Sequence, residues 1–156
     1  MEERAACMEA LPVTVADMKC AVLGYGRVGR TLAQKLKVLG AEVTAAARNP
    51  RDLAWAEADG CRTVPLARFR EDPPPCAAVF NTIPARIMDG GVLGRLGRGT
   101  AVFDLANTDT GQEENGVRVI PLPSLPGKAA PVTAGEIIGK AVLSVLEAED
   151  LKGGTV

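Results

Sequence analysis

The sequence predicts an α/β fold, a doubly wound, mostly parallel sheet of about six strands with helices on both faces. Three observations predict it. Short apolar runs alternate with amphipathic stretches along most of the chain, and glycines or prolines punctuate the joins. The first apolar run, Cys20 to Leu23, passes straight into Gly24-Tyr25-Gly26-Arg27-Val28-Gly29. Apolar positions at Val28, Leu32, Ala33 and Leu36 follow at helical spacing.

Strand, tight turn and helix form the context in which a Gly-x-Gly-x-x-Gly motif signals a Rossmann-type dinucleotide site. Gly24 permits the sharp turn, Gly26 lets backbone approach a pyrophosphate, and Gly29 lets the helix pack on the strand. Tyr25, Arg27 and Val28 join them as cofactor-binding candidates. The free N–H groups of the new helix face the phosphates, where the helix dipole favours negative charge. The alternative is a structural glycine turn in another kind of α/β protein.

The elements follow in order. Residues 2–11 read as the end of a helix that stops before Pro12. Val13–Val15 and a turn at Ala16-Asp17 lead into a first strand over Lys19–Leu23. A helix from Arg27 to Leu39 ends at Gly40, a suitable residue just past a C-cap. Strand two covers Glu42–Ala46. Asn49-Pro50 is an N-cap with proline at the first helical position, and that helix runs to Asp59, ahead of Gly60. Trp55, the only tryptophan, is expected to pack on the sheet. A short strand over Arg62–Val64, a helical turn over Leu66–Arg70 and a stiff Pro73-Pro74-Pro75 connector come next. Strand four, Ala77–Phe80, delivers Asn81-Thr82-Ile83-Pro84. A glycine-interrupted helix over Asp89–Leu96, strand five over Thr100–Phe103 ending at Asp104, and a polar loop over Asn107–Asn115 follow. Strand six covers Val117–Leu122, and an amphipathic helix over Ala134–Glu149 closes the pattern.

Composition narrows the function. At 156 residues and 47% hydrophobic, the chain is most simply one domain with a real core. A net charge of -1 offers no basic field for nucleic acid and no polybasic membrane patch. No apolar run approaches the roughly 18 residues that a membrane span needs. Met1-Glu2-Glu3-Arg4 lacks the basic region and apolar core of a signal peptide, so a cytoplasmic location is expected. Cys7, Cys20, Cys61 and Cys76 lie far apart, which reads as free thiols in a reducing compartment. The chain has no histidine. That removes His-based triads, His-ligated metals and the commonest general base, and no metal site is expected.

In such a sheet ligands bind beyond the carboxyl ends of the strands, where strand order reverses. Besides the glycine turn, that rule selects the end of strand two. The acidic residue that holds a ribose 2′-hydroxyl in many NAD sites is replaced there by Ala47, followed by Arg48, Asn49 and Arg51. An arginine and no carboxylate favour a 2′-phosphate, so NADP is expected rather than NAD. The alternative leaves Arg48 and Arg51 solvated at a helix start. Asn81, Thr82 and Pro84 are candidates for the nicotinamide side, or else Asn81 and Thr82 satisfy the turn backbone. Asp104 follows strand five as a cofactor-side contact, a general base or a cap. The catalytic group is not identifiable from the residues.

These motifs stand in an order that resembles one family. Val22 to Gly29, Ala47-Arg48, Asn81 to Pro84, Asp104-Leu105-Ala106 and Leu125 to Ile138 match the C-terminal, nucleotide-binding half of dipicolinate synthase A. The resemblance spans about Pro12 to Leu146 and is most specific over 126–138. It implies NADP-linked oxidation of a dihydrodipicolinate-type dicarboxylate in sporulation, alongside a flavoprotein-like partner, dipicolinate synthase B. Lys128, beside Pro126-Gly127, is then a candidate for a substrate carboxylate, or a solvated loop lysine. Two departures stand out. The family's segment after Asp-Leu-Ala is shortened here to 107–112, and its N-terminal domain has no counterpart. The expected organisation is therefore the end of an inter-domain helix over 1–11 and an NADP-binding domain over 12–156, with the substrate domain absent and activity incomplete in this chain alone. A homo-oligomer is compatible with this reading. The alternatives are another NADP-linked dehydrogenase of the shikimate-dehydrogenase kind, or a non-catalytic NADP-binding sensor or scaffold. A 2-hydroxyacid dehydrogenase active site generally needs a histidine, and this chain has none.

Overall fold

The computed structural model describes residues 16–106, 108 and 116–121. The expected helix over 2–11, Val13–Val15, most of the 107–115 loop, Cys7, Lys128 and the helix over 134–149 lie outside the described residues. The described chain runs β1 (Lys19–Leu23), α1 (Arg27–Val38), β2 (Glu42–Ala47), α2 (Pro50–Ala58), β3 (Arg62–Pro65), α3 (Leu66–Glu71), β4 (Ala78–Asn81), α4 (Gly90–Leu93), β5 (Ala101–Asp104) and β6 (Arg118–Pro121). The strands form one six-stranded sheet in the order β3-β2-β1-β4-β5-β6. Every pairing is parallel.

The central strands read as unbroken apolar runs because both faces of a parallel sheet are covered. Alternation then sorts the side chains. Cys20 and Val22 of β1 point to one face, where Leu32, Ala33 and Leu36 of α1 and Ala56 of α2 cover them. Ala21 and Leu23 point to the other, against Leu66 and Phe69 of α3 and Val92 and Leu93 of α4. Phe80 and Phe103 stack across β4 and β5 on the first face, their centroids 5.0 Å apart.

Two glycines set where strands begin. Gly40 sits at φ 92° and Gly60 at φ 84°. Gly40 N donates to Lys37 O and Ala41 N to Leu36 O, at 2.9 and 3.0 Å; Gly60 and Cys61 repeat the pattern onto Glu57 and Ala56. Each is a Schellman ending that turns the chain straight into the next strand.

Two expectations are corrected. The helix read over Asp89–Leu96 is a single turn, Gly90–Leu93, capped by the Asp89 side chain accepting from Val92 N. Glycines at 90, 91, 94 and 97 remove the propensity to extend it. Trp55 does not pack on the sheet: it is 47% exposed. The inward face of α2 is set by Ala56, and one residue along a helix is a turn of about 100°. The ring lies instead under the Arg30 guanidinium, 4.7 Å from its centroid.

Candidate functional site

Strand order reverses between β1 and β4, since β2 and β3 extend one way and β5 and β6 the other. The loops that leave β1 and β4 therefore part, and a crevice opens over their carboxyl ends. A cleft of about 520 Å³ lies there. It is lined by Gly24 to Gly29, by Ala47, Arg48, Asn49 and Asp52 from the β2–α2 junction, and by Thr82, Ile83 and Pro84 beyond β4.

The glycine turn is fixed by its neighbours. Gly24 adopts φ 90°, and its N–H donates to Ala46 O at 2.8 Å, tying the turn to β2. Thr82 wedges in from β4: its N–H and hydroxyl both donate to Leu23 O, at 3.0 and 2.7 Å. A Cβ on Gly24 would come within 2.6 Å of the Thr82 Oγ1 and 2.9 Å of Ile83 Cγ1. A Cβ on Gly29 would run into the Gly24 carbonyl. Packing inside the chain thus explains two of the three motif glycines. Gly26 differs, because a Cβ there meets nothing within 4 Å among the described residues. Its φ of -77° suits any residue, and it stands as the N-cap of α1 with no side chain capping that terminus.

Tyr25 lines the cleft, but its phenol turns away from it and is 5% exposed. The hydroxyl donates to Asp59 Oδ2 at 2.7 Å, and Cys61 Sγ lies 3.9 Å from it. Arg30 completes the cluster, with Nε donating to Asp59 Oδ2 at 2.8 Å and Nη2 to Oδ1 at 3.1 Å. Lys37 Nζ donates to the Asp59 carbonyl. The Arg30 guanidinium and then the Tyr25 hydroxyl hold the Asp59 carboxyl below the ordinary 3.8. Burial, followed by the hydrogen bond to Asp59, pushes the Tyr25 phenol upward. The cluster bolts the glycine turn to the far end of α2. Composition and spacing give no signal for it, since Tyr25 and Asp59 meet only through the βαβ crossover.

At the β2 end, Arg48 and Asn49 line the cleft as expected from the sequence, and Arg51 does not. Asn49 Oδ1 accepts from Arg51 N at 2.9 Å, the capping bond that starts α2. Positions 49 and 52 share a helix face, so the cleft receives Asp52 in place of Arg51.

Beyond β4 and β5, Thr82 and Pro84 line the cleft, whereas Asn81 and Asp104 are packed behind it, 0% and 1% exposed. Asn81 Oδ1 accepts from Ile83 N at 3.1 Å, and its Nδ2 donates to Asp104 Oδ1 at 3.3 Å. Asp104 also accepts from Ala106 N at 3.2 Å and from the Thr108 hydroxyl at 3.0 Å. The pair shapes the turn that carries Thr82 to Pro84.

No cluster of three or more metal-ligating side chains occurs among the described residues. Cys20, Cys61 and Cys76 are free thiols, and burial pushes Cys20 up to about 12 and Cys76 to about 11. None of the described helices is long and apolar enough to cross a membrane.

Residues 3–85 match the family model of the D-isomer specific 2-hydroxyacid dehydrogenase, NAD binding domain. Dipicolinate synthase A of Bacillus subtilis (strain 168) is 36% identical over 141 residues, covering 87% of this chain and 47% of that protein. The crystal structure of dipicolinate synthase A from Bacillus halodurans superposes with a TM-score of 0.68 at 31% identity, over 91% of this chain and 50% of that one. The crystal structure of the Bacillus subtilis protein gives 0.68 at 29% identity, over 97% and 52%. The chain spans about half the length of these relatives. The resemblance read from the motifs is therefore found again in both sequence and structure. The missing histidine bears on a 2-hydroxyacid dehydrogenase active site; the match is to the cofactor domain.

Proposed function

The chain belongs to the D-isomer specific 2-hydroxyacid dehydrogenase NAD binding domain family, and from that premise we propose that it is the NADP(H)-binding part of an oxidoreductase of the dipicolinate synthase A kind. Gly26 is the observation that carries the reading. The chain leaves this residue without a side chain although none of the described residues fills the space, as expected where a pyrophosphate must approach the backbone. The uncapped start of α1, with no acidic residue in its first turn, supports the same placement.

In this reading Gly24 to Gly29 hold the pyrophosphate through backbone N–H groups. Arg48 and Asn49 take the adenosine 2′-phosphate and ribose, and Thr82 and Pro84 face the nicotinamide side. Asn81 and Asp104 act through the turn that they shape, and Arg51 stands outside as a solvated cation. The nicotinamide supplies hydride transfer when bound; the chain's part is to position it and exclude water. The substrate is a dihydrodipicolinate-type dicarboxylate, with Lys128 as a carboxylate contact. Residues 12–156 form the cofactor domain and 1–11 the end of an inter-domain helix. The substrate domain and a flavoprotein-like partner, dipicolinate synthase B, complete the activity.

Titration with NADPH and NADH, followed by reduced-nicotinamide fluorescence, tests the cofactor. NADPH is expected to bind more tightly, and Arg48→Ala to weaken NADPH about tenfold while sparing NADH. Equal NADPH affinity in Arg48→Ala would defeat the 2′-phosphate assignment. Dihydrodipicolinate oxidation, assayed with and without an N-terminal half and dipicolinate synthase B, tests the reaction. Binding without turnover in every combination would leave a sensor or scaffold.

A further inference from the structure

We propose that Asp52 is a specificity-determining residue, an anionic counterweight to Arg48 that accepts the ribose 2′-hydroxyl and restrains the preference for a 2′-phosphate. The proposal rests on the cofactor reading above and deepens it.

The β2 end of the cleft presents two opposed charges. Arg48 and Asp52 line it together, with Asn49 between them. Ala47 supplies no acceptor at the position where a carboxylate usually stands. Asp52, in the first turn of α2, returns one to the same end of the cleft. Asp17 is exposed, whereas four of the other described aspartates have partners. Asp59 is held by Arg30 and Tyr25, and Asp72 lies 3.9 Å from Arg68. Asp89 meets Arg70 at 3.2 Å, and Asp104 is packed against Asn81 and Thr108. Asp52 is half-buried in the cleft wall, with no hydrogen bond or ion pair to a described residue.

The two side chains read the same atom in opposite ways. A guanidinium pairs with a phosphate by charge-assisted hydrogen bonds. A carboxylate repels the phosphate and accepts a hydrogen bond from a hydroxyl. The selectivity is the difference between these effects. Removing the carboxylate's charge therefore sharpens the choice of NADPH, even though Asp52 lies on a helix turn with no role in holding the glycine loop.

Dissociation constants for NADPH and NADH are measured at low salt for the wild type, Asp52→Asn, Asp52→Ser and Arg48→Ala, with a thermal melt of each. Both Asp52 variants are expected to bind NADPH about fivefold more tightly and NADH more weakly, and the NADPH gain should shrink as salt is raised; unchanged NADH affinity would remove the hydroxyl contact from the proposal. A general loosening of the fold would weaken both dinucleotides instead. If the preference stays the same in both Asp52 variants, the proposal is overturned. If Arg48→Ala still abolishes the preference in that case, the cofactor reading stands without it. Failure of the wild type to bind either dinucleotide would overturn both.

Discussion

Asp59 gathers more of the site's fixed geometry than any residue inside the cleft. It takes the Tyr25 hydroxyl from the glycine turn and the Arg30 guanidinium from α1, while belonging to the end of α2. These bonds hold its carboxyl below 3.8, so the sign of its pH effect follows. A depressed native pKa contributes stability above the unfolded value, and that contribution is lost as pH falls through the native value. Urea midpoints measured at decreasing pH are expected to drop below pH 3.8 in the wild type. The decline should be shallower in Asp59→Asn, with Asp89, also held below its ordinary value, supplying part of what remains. An identical acid profile in the variant would show that the cluster contributes nothing there. Neutral thiols at Cys20 and Cys76 fit the same scale: burial, not chemistry, sets them.

At the scale of elements, the site is a meeting of the β1–α1 turn, the β2–α2 junction and the end of β4. Thr82 is the joint between the first and the last. Thr82→Val keeps the shape but removes the 2.7 Å hydroxyl bond to Leu23 O. It also puts a methyl in place of the hydroxyl on the side of Gly24 where an added Cβ would come within 2.6 Å of Oγ1. Urea unfolding is expected to show a loss of about 1 kcal/mol, with NADPH affinity falling severalfold because the glycine turn shifts. Unchanged affinity would mean that the turn does not depend on this joint.

The elements were largely legible in the sequence, for definite reasons. β1 came out as Lys19–Leu23, since an apolar run bounded by Lys19 and a glycine leaves little choice. Asn49-Pro50 marked the start of α2, and the Schellman glycines 40 and 60 marked where helices stop. The one-turn α4 was overextended because its glycines oppose helix while its apolar spacing suggests it. Around the cleft, the glycine turn, Arg48, Asn49, Thr82 and Pro84 fall where motif and topology put them. Asp52 for Arg51 was missed because it depends on helix phase, a matter of about 100° per residue. The Tyr25–Asp59 bond joins residues 34 apart in sequence, and only the folded crossover brings them together.

The whole molecule explains why the cleft is where it is. Parallel strands wound in two directions from β1 and β4 leave a single reversal in this sheet, and the first turns of α1 and α2 help to line the cleft above it. The sheet makes the rigid platform, and the loops above it carry the polar groups. The chain spans about half the length of the matched relatives. The central claim, that this cleft holds a nicotinamide dinucleotide against Gly26, is tested most directly by the affinity of Gly26→Val for NADPH. A Cβ at this position meets none of the described residues within 4 Å, so the variant should melt within a few degrees of the wild type and lose saturable NADPH binding. A Gly26→Val protein that binds NADPH as tightly as the wild type would contradict the account.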